Sequence, residues 1–367
     1  MVKCHEVVKK MEEWACPKYA EDWDNVGLIS GDLNQPIKKV LATLDVTDAV
    51  IAEAIQEKAD MIIAHHPMIF KPMSKIIAHD TLGAKIRKLI KNDIALYISH
   101  TNMDVTWGGL NDVVAEKMQL KNIKILDVLG KETYKKLVVF VPVGYEDAVR
   151  EAMCQADAGC IGNYSACTYY TEGIGTFKPG DDTKAFIGEK GQLEKVKEYR
   201  LETIVPASKV KEVIVAMQKA HPYEEVAYDL YPLDLEKDIY GLGRVGQLEK
   251  ETILKNVISQ VKKILCVERV RYVGEMEKQI ATVAICTGSG GSLISACVKH
   301  NADVFITGEL KYHEAQIAYQ KGLSVIEAGH FETEKIFTAL VLSFLKNQFE
   351  DIIVFDSAKD RGFIKWA

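Results

Sequence analysis

The chain has 367 residues, 48% of them hydrophobic and 27% charged, with a mean hydropathy of −0.04, an ordinary globular composition with room for two or three domains. No run approaches the roughly 20 apolar residues that a membrane span requires, and a formal charge of −6 argues against broad, phosphate-driven nucleic-acid binding. The opening residues mix acids and bases and lack the apolar core of a secretory signal, so a cytoplasmic location is expected. Eight scattered cysteines without a CxxC pair read as reduced thiols, mostly in the core.

Taken in chain order, WDNVGLISGD (23–32) comes first; it reads as a structural turn, with the wall of a cleft as the second option. A β-branched run at 41–44 leads through a turn into a helix of apolar period 3.6, then Ala59-Asp60 and a strand at 61–64. That strand ends in His65-His66-Pro67. Neighbours in an extended segment point to opposite sides, so the two imidazoles can serve two metals or two sides of one site. The next strand, IALYISH, ends in His100, and Asp104 follows four residues later.

Residues 130–235 break this rhythm. KKLVVFVPV and YRLETIVPA are each followed by a helical segment, and AHPYEEVAYDLYPL closes the region as an edge strand. Tyr164, Tyr169 and Tyr170 between them suit strand packing or a subunit contact. Strand–helix–strand, twice over, predicts a ferredoxin-like α+β domain inserted in an exposed loop of its parent.

The C-terminal segment then repeats the first. A strand at 283–285, a turn, a helix, Ala302-Asp303, a strand at 304–307 and a third strand ending in His330 match the earlier order. The alternation predicts a duplicated α/β core whose halves, 1–128 and 237–367, are related by a pseudo-twofold axis. TGSGGS (287–292) leads from strand to helix and offers backbone N–H groups to an anion, without the Lys-Ser/Thr of a P-loop. TGELKYHE stands where His65-His66 stand in the first half; Glu309, Lys311 and His313 there are either substrate contacts and acid/base groups or a solvated helix start. His330 and Glu334, four apart at the start of a helix, can converge on one ion.

In open α/β sheets ligands collect at the carboxyl ends of strands, and His65, His66, Asp104, His330 and Glu334 all belong there. Imidazoles with hard carboxylates and no thiolate suit zinc first, with manganese, iron or cobalt as alternatives. Five ligands with two carboxylates able to bridge suit two divalent ions, with water on the open positions. His100 either coordinates or shuttles protons, and His313 is the other candidate for proton transfer.

Together, WDNVGLISGD, AHHPMIF, SHTNMDV, TGELKYHE and GHFETE resemble the NIF-three-like dinuclear-metal family, often labelled GTP cyclohydrolase I type 2 homologs. The insert, through HPYEEVAYDL, resembles that of the YqfO-type subgroup, with a P-II/CutA-like domain. The resemblance implies a toroidal homohexamer with metal pairs facing an internal cavity, and it places the ligands at His65, His66, Asp104, His330 and Glu334. Glu309 departs from the family's usual Asp, which bears on substrate contacts alone.

Two functions of different class follow. One is a metal-dependent hydrolase of a nucleotide or heterocycle, releasing formate from a guanine ring. The other is a non-catalytic metal-binding scaffold or regulator whose inserted domain senses a ligand. An open coordination position beside an acid/base group would mark the first.

Overall fold

The computed structural model describes residues 1–162 and 164–365, so the last two positions of the expected 237–367 segment lie outside the described residues. The protein is a mixed α/β chain that divides into two compact units, Met1–Leu129 with Tyr240–Ala367, and Gly130–Ile239.

The first unit opens with α1 (Cys4–Trp14) and β1 (Gly27–Ser30), then alternates through β2 (Lys39–Thr43), α2 (Asp48–Gln56), β3 (Met61–Ala64), α3 (Thr81–Lys91) and β4 (Ala95–Ile98). A one-turn helix, α4 (Thr101–Val105), precedes α5 (Leu110–Lys117), and the long β5 (Lys121–Pro142) carries the chain out of this unit. Helix starts are set by local chemistry: the Thr47 hydroxyl accepts from the Val50 N–H at α2, and the Asp80 carboxylate accepts from Gly83 at α3.

The second unit contains α6 (Glu146–Gln155), β6 (Thr168–Phe177), β7 (Glu194–Pro206), α7 (Val210–Ala220) and the first part of β8 (Tyr228–Ile253). Its strands lie in the order β6-β7-β5-β8. Leu137, Val139 and Val141 of β5 and Leu201 and Val205 of β7 form a core with Val149 and Met153 of α6 and Val213 and Met217 of α7. Their alternation along each strand puts the apolar residues on the helix-covered face.

Back in the first unit come α8 (Leu254–Leu265), β9 (Arg271–Val273), β10 (Gln279–Ser289), α9 (Ile294–Lys299), β11 (Val304–Glu309) and α10 (Tyr312–Gln320). The chain then runs through β12 (Ser324–Glu327), α11 (His330–Glu334), α12 (Ile336–Gln348) and β13 (Ile353–Asp356).

Two sheets with a common centre result, differing at one flank, where β13 is parallel to β2 but β8 is antiparallel to β10. One is ordered β1-β4-β3-β2-β13; the other contains β8-β10-β11-β12-β9. In each, three central strands are parallel and the strand beyond the third is antiparallel to it. The likeness reaches single hydrogen bonds. Asp60 takes the N–H groups of Lys38 and Lys39 on its carboxylate, as Asp303 takes those of Ala281 and Thr282. The same two residues donate to the Lys39 and Thr282 carbonyls and accept from Ala95 and Ser324.

Period-2 alternation sorts the side chains. Met61 and Ile63 of β3 join Val304 and Ile306 of β11 in a shared core with α1, α5, α8 and α12. Ile62 and Ala64 turn instead to the α2–α3 side, and Phe305 to the α9–α10 side. The carboxyl ends of both sheets are thereby held by one packed layer.

Two elements differ from the sequence reading. The closing strand of the middle region does not stop near residue 233 but runs to Ile253, because its continuation pairs with β10. The thiols are not mostly core: Cys4, Cys286 and Cys297 are buried, whereas Cys160 and Cys266 are exposed. Cys266 is the left-handed cap of α8, a position at the helix end rather than inside the packing.

Candidate metal centre

His65 and His66 leave the carboxyl end of β3, and His100 leaves that of β4 as the cap of α4. His330 begins α11, whose single turn brings Glu334 back toward it, with 3.0 Å between His330 Nε2 and Glu334 Oε2. His66 Nε2 meets the same carboxylate oxygen at 2.9 Å. His65 Nε2 lies 3.7 Å from Asp104 Oδ1 and 3.8 Å from Glu334 Oε1. Two ligand-competent groups result, His65 with His66 and His100, and His66 with His330 and Glu334, the ligand atoms of each within 4.8 Å of one another. His65, His66, Asp104, His330 and Glu334 are therefore brought together, and His100 stands with them.

The four histidines share one device. His65 Nδ1 bonds the Ser99 carbonyl at 2.8 Å, His66 Nδ1 the Asp45 carboxylate at 3.0 Å, and His100 Nδ1 the Asp24 carboxylate at 3.0 Å. His330 Nδ1 lies 3.4 Å from Glu309. Each ring is oriented by an oxygen on one nitrogen and keeps the other for the cluster, the arrangement that fixes tautomer and direction in metal-binding histidines.

The donor set fits a cation. His65 Nε2 and Asp104 Oδ1 are buried and have no hydrogen-bond partner. With Nδ1–H committed to Ser99, His65 Nε2 is an acceptor, and it faces a carboxylate that is also an acceptor. Two buried acceptors facing each other are satisfied by a shared positive charge, a metal cation or a proton.

The electrostatics agree. Burial pushes Glu334 up, but the imidazoles of His330, His65 and His66 outweigh it and hold the carboxyl well below its ordinary range. Burial and the Glu334 charge push Asp104 up. Burial would lower His66, yet its bonds to Asp45 and Glu334 raise it to about 10. His330 rises to about 9, chiefly through its hydrogen bond to Glu334. Protons in this cluster occupy places that a metal ion would take.

A cavity of about 800 Å³ opens onto the cluster, and Trp23, Phe70 and Phe363 are among its walls. Trp23 and Phe70 present edges to the His100 ring, at centroid distances of 6.0 and 6.4 Å.

His313 is not brought there. It is exposed on α10, packed edge-on to Tyr312, and absent from the cavity wall, because α10 turns that residue outward. Three of the TGSGGS amides are unavailable to an anion: the Thr287, Gly288 and Gly290 N–H groups already bond Asn111, Thr333 and Thr307. Gly288 has another purpose, since a Cβ there would collide with Glu334 Oε1.

Asp24 and Asp45 are the functional positions that sequence reasoning missed. Asp45 could have been found, since it lies just past the end of β2, where the strand-end rule applies. Asp24 lies in the segment read as a structural turn or, as the second option, the wall of a cleft. Gly27–Ser30 there form β1 and Trp23 lines the cavity, but nothing local marked Asp24 as the partner of His100; it also takes the Thr101 N–H and so anchors the start of α4.

The Duf34/NIF3 (NGG1p interacting factor 3) family model matches residues 2–361. Two similar proteins, from Halalkalibacterium halodurans and Bacillus subtilis, are each named GTP cyclohydrolase 1 type 2 homolog. The first is 46% identical over 90% of this chain and 88% of its own length, the second 46% over 91% and 90%. The crystal structure of a Bacillus cereus protein related to NIF3 superposes with a TM-score of 0.84 at 42% identity, covering 100% of this chain and 99% of that one.

Proposed function

Since the chain belongs to the Duf34/NIF3 family, we propose that it is a dinuclear metal-dependent hydrolase acting on a nucleotide or related heterocycle. The observation that carries this is the facing pair of buried, unpartnered acceptors, His65 Nε2 and Asp104 Oδ1. In this reading His65, His66, Asp104, His330 and Glu334 hold two divalent ions, zinc first. Bound cations supply Lewis-acid activation of water and substrate.

His100 takes or returns a proton, since Asp24 steadies its Nδ1 and the ring lies beside the cavity. Trp23, Phe70 and Phe363 offer flat apolar surfaces to a heterocyclic ring. The name carried by the relatives, GTP cyclohydrolase 1 type 2 homolog, supports guanine ring opening with formate release. His313 has no part in this reading. The test incubates protein loaded with zinc, manganese, iron or cobalt with GTP and other nucleotides and measures formate and phosphate. Turnover that disappears in His100→Ala supports the hydrolase.

No turnover with any metal favours the second reading, a metal-binding scaffold whose middle domain senses a ligand. The β5-α6-β6-β7-α7-β8 succession and the strand order β6-β7-β5-β8 support a ferredoxin-like domain at 130–235, between core halves 1–128 and 237–367. A cytoplasmic homohexamer completes the proposal, and sedimentation equilibrium tests its size.

A further inference from the structure

The middle unit has a cavity of its own, about 410 Å³, within the size range of small-molecule sites. Phe177, Phe186 and Tyr223 form an aromatic group on it, with ring centroids 5.9 Å (Phe177 to Tyr223) and 6.2 Å (Phe186 to Tyr223) apart. Into the same cavity projects Glu198 of β7, on the face opposite the helix-covered Leu201 and Val205.

Glu198 is only 7% exposed. Its Oε1 accepts from the Tyr223 hydroxyl at 3.0 Å. Burial, reinforced by Glu198, pushes the Tyr223 phenol well above its usual range, so it remains the donor. Among the described residues no cation pairs with Glu198, and Oε2 lies over Gly175, where a Cβ would collide with it. A glycine on β6 thus makes room for a carboxylate in an aromatic pocket. Lys178 also lines the cavity, but Glu224 and Glu225 stand with Glu198, so acids outnumber it three to one.

A buried carboxylate held by one neutral hydroxyl is costly unless a positive group joins it, and aromatic faces attract cations. We propose that this cavity binds a small organic cation with a flat apolar body, its charged N–H group on Glu198 Oε2 and its body against Phe177, Phe186 and Tyr223. The site lies wholly in the middle unit and does not depend on metal at the histidine cluster.

The probe is benzamidinium, with benzamide as its neutral counterpart of the same shape, titrated into the full chain while the Phe186 and Tyr223 ring resonances are followed. Saturable shifts are expected, with benzamidinium at least tenfold tighter than benzamide. Glu198→Gln, which keeps an acceptor for Tyr223, should abolish that preference. Phe186→Ala, a truncation at a half-exposed ring, should weaken both ligands. Absence of saturable shifts in those rings, equal affinity for the two probes, or a preference that survives in Glu198→Gln would overturn the assignment.

Discussion

At the scale of single residues, the histidine cluster behaves as a set of donors whose outer nitrogens are already committed. Asp104 is the member with least alternative employment, because its buried Oδ1 has no hydrogen-bond partner. Asp104→Ala is expected to lose at least one metal ion per chain while the core stays folded. Elemental analysis beside a thermal melt decides it, and full occupancy in the variant would remove Asp104 from the ligand set. The raised His66 and His330, at about 10 and about 9, carry protons at neutral pH. A metal ion that takes their Nε2 atoms must expel those protons, roughly two at pH 7. Affinity should therefore fall as pH drops below about 10, and more steeply below about 9 where both rings hold protons. Calorimetry in two buffers of different ionisation enthalpy measures the release, and metal uptake with no proton release would contradict it. The imidazoles and carboxylates at strand ends were legible because position along a strand fixes where they emerge. Asp24 was not: it meets His100 across 76 residues, and nothing local marks that pairing.

At the scale of elements, the same divide recurs. β3 lies where its apolar run predicts, and α11 begins at His330 as the spacing suggests. What holds α5 against β8 was invisible, because a buried arginine looks like any other in sequence. Arg244 is fully buried; its Nε and Nη2 bond the Asp112 carboxylate at 2.7 and 2.8 Å, and it also reaches the Thr106 carbonyl at 2.8 Å. It lies beneath the Trp107 ring at 4.5 Å. Asp112 is 132 residues away in sequence, so only the folded chain reveals the pair. Arg244→Met strands the Asp112 charge in the interior and should cost about 3–5 kcal/mol. Adding Asp112→Leu should restore much of that, since the cost comes from an uncompensated charge rather than from a lost attraction. Urea unfolding of the single and double variants reads this directly, and an Arg244→Met protein as stable as its parent would show the pair to be dispensable.

At the scale of the whole molecule, the repeated half was readable because it is written twice, down to the paired Asp60 and Asp303 that tie each sheet's first parallel strand to its second. The hydrogen bonds that consume three of the TGSGGS amides were not readable, since their acceptors arrive from α5, β11 and α11. The same logic bears on the middle unit. It has its own core, drawn from β5, β7, α6 and α7, and every residue of the metal cluster belongs to the other unit. Where the chain leaves and re-enters that other unit, the Asp127 carbonyl packs against Gly241 so closely that a Cβ there would collide with it. Segments that leave and return side by side can be rejoined without straining their parent. Excision of 130–239, with Leu129 and Tyr240 joined by a short Gly-Ser linker, is therefore expected to leave a soluble protein that binds metal with the affinity of the full chain. Metal titration and circular dichroism of the excised protein test this together. An insoluble product, or a folded one that no longer takes up metal, would mean that the core relies on the middle unit for more than its covalent connections.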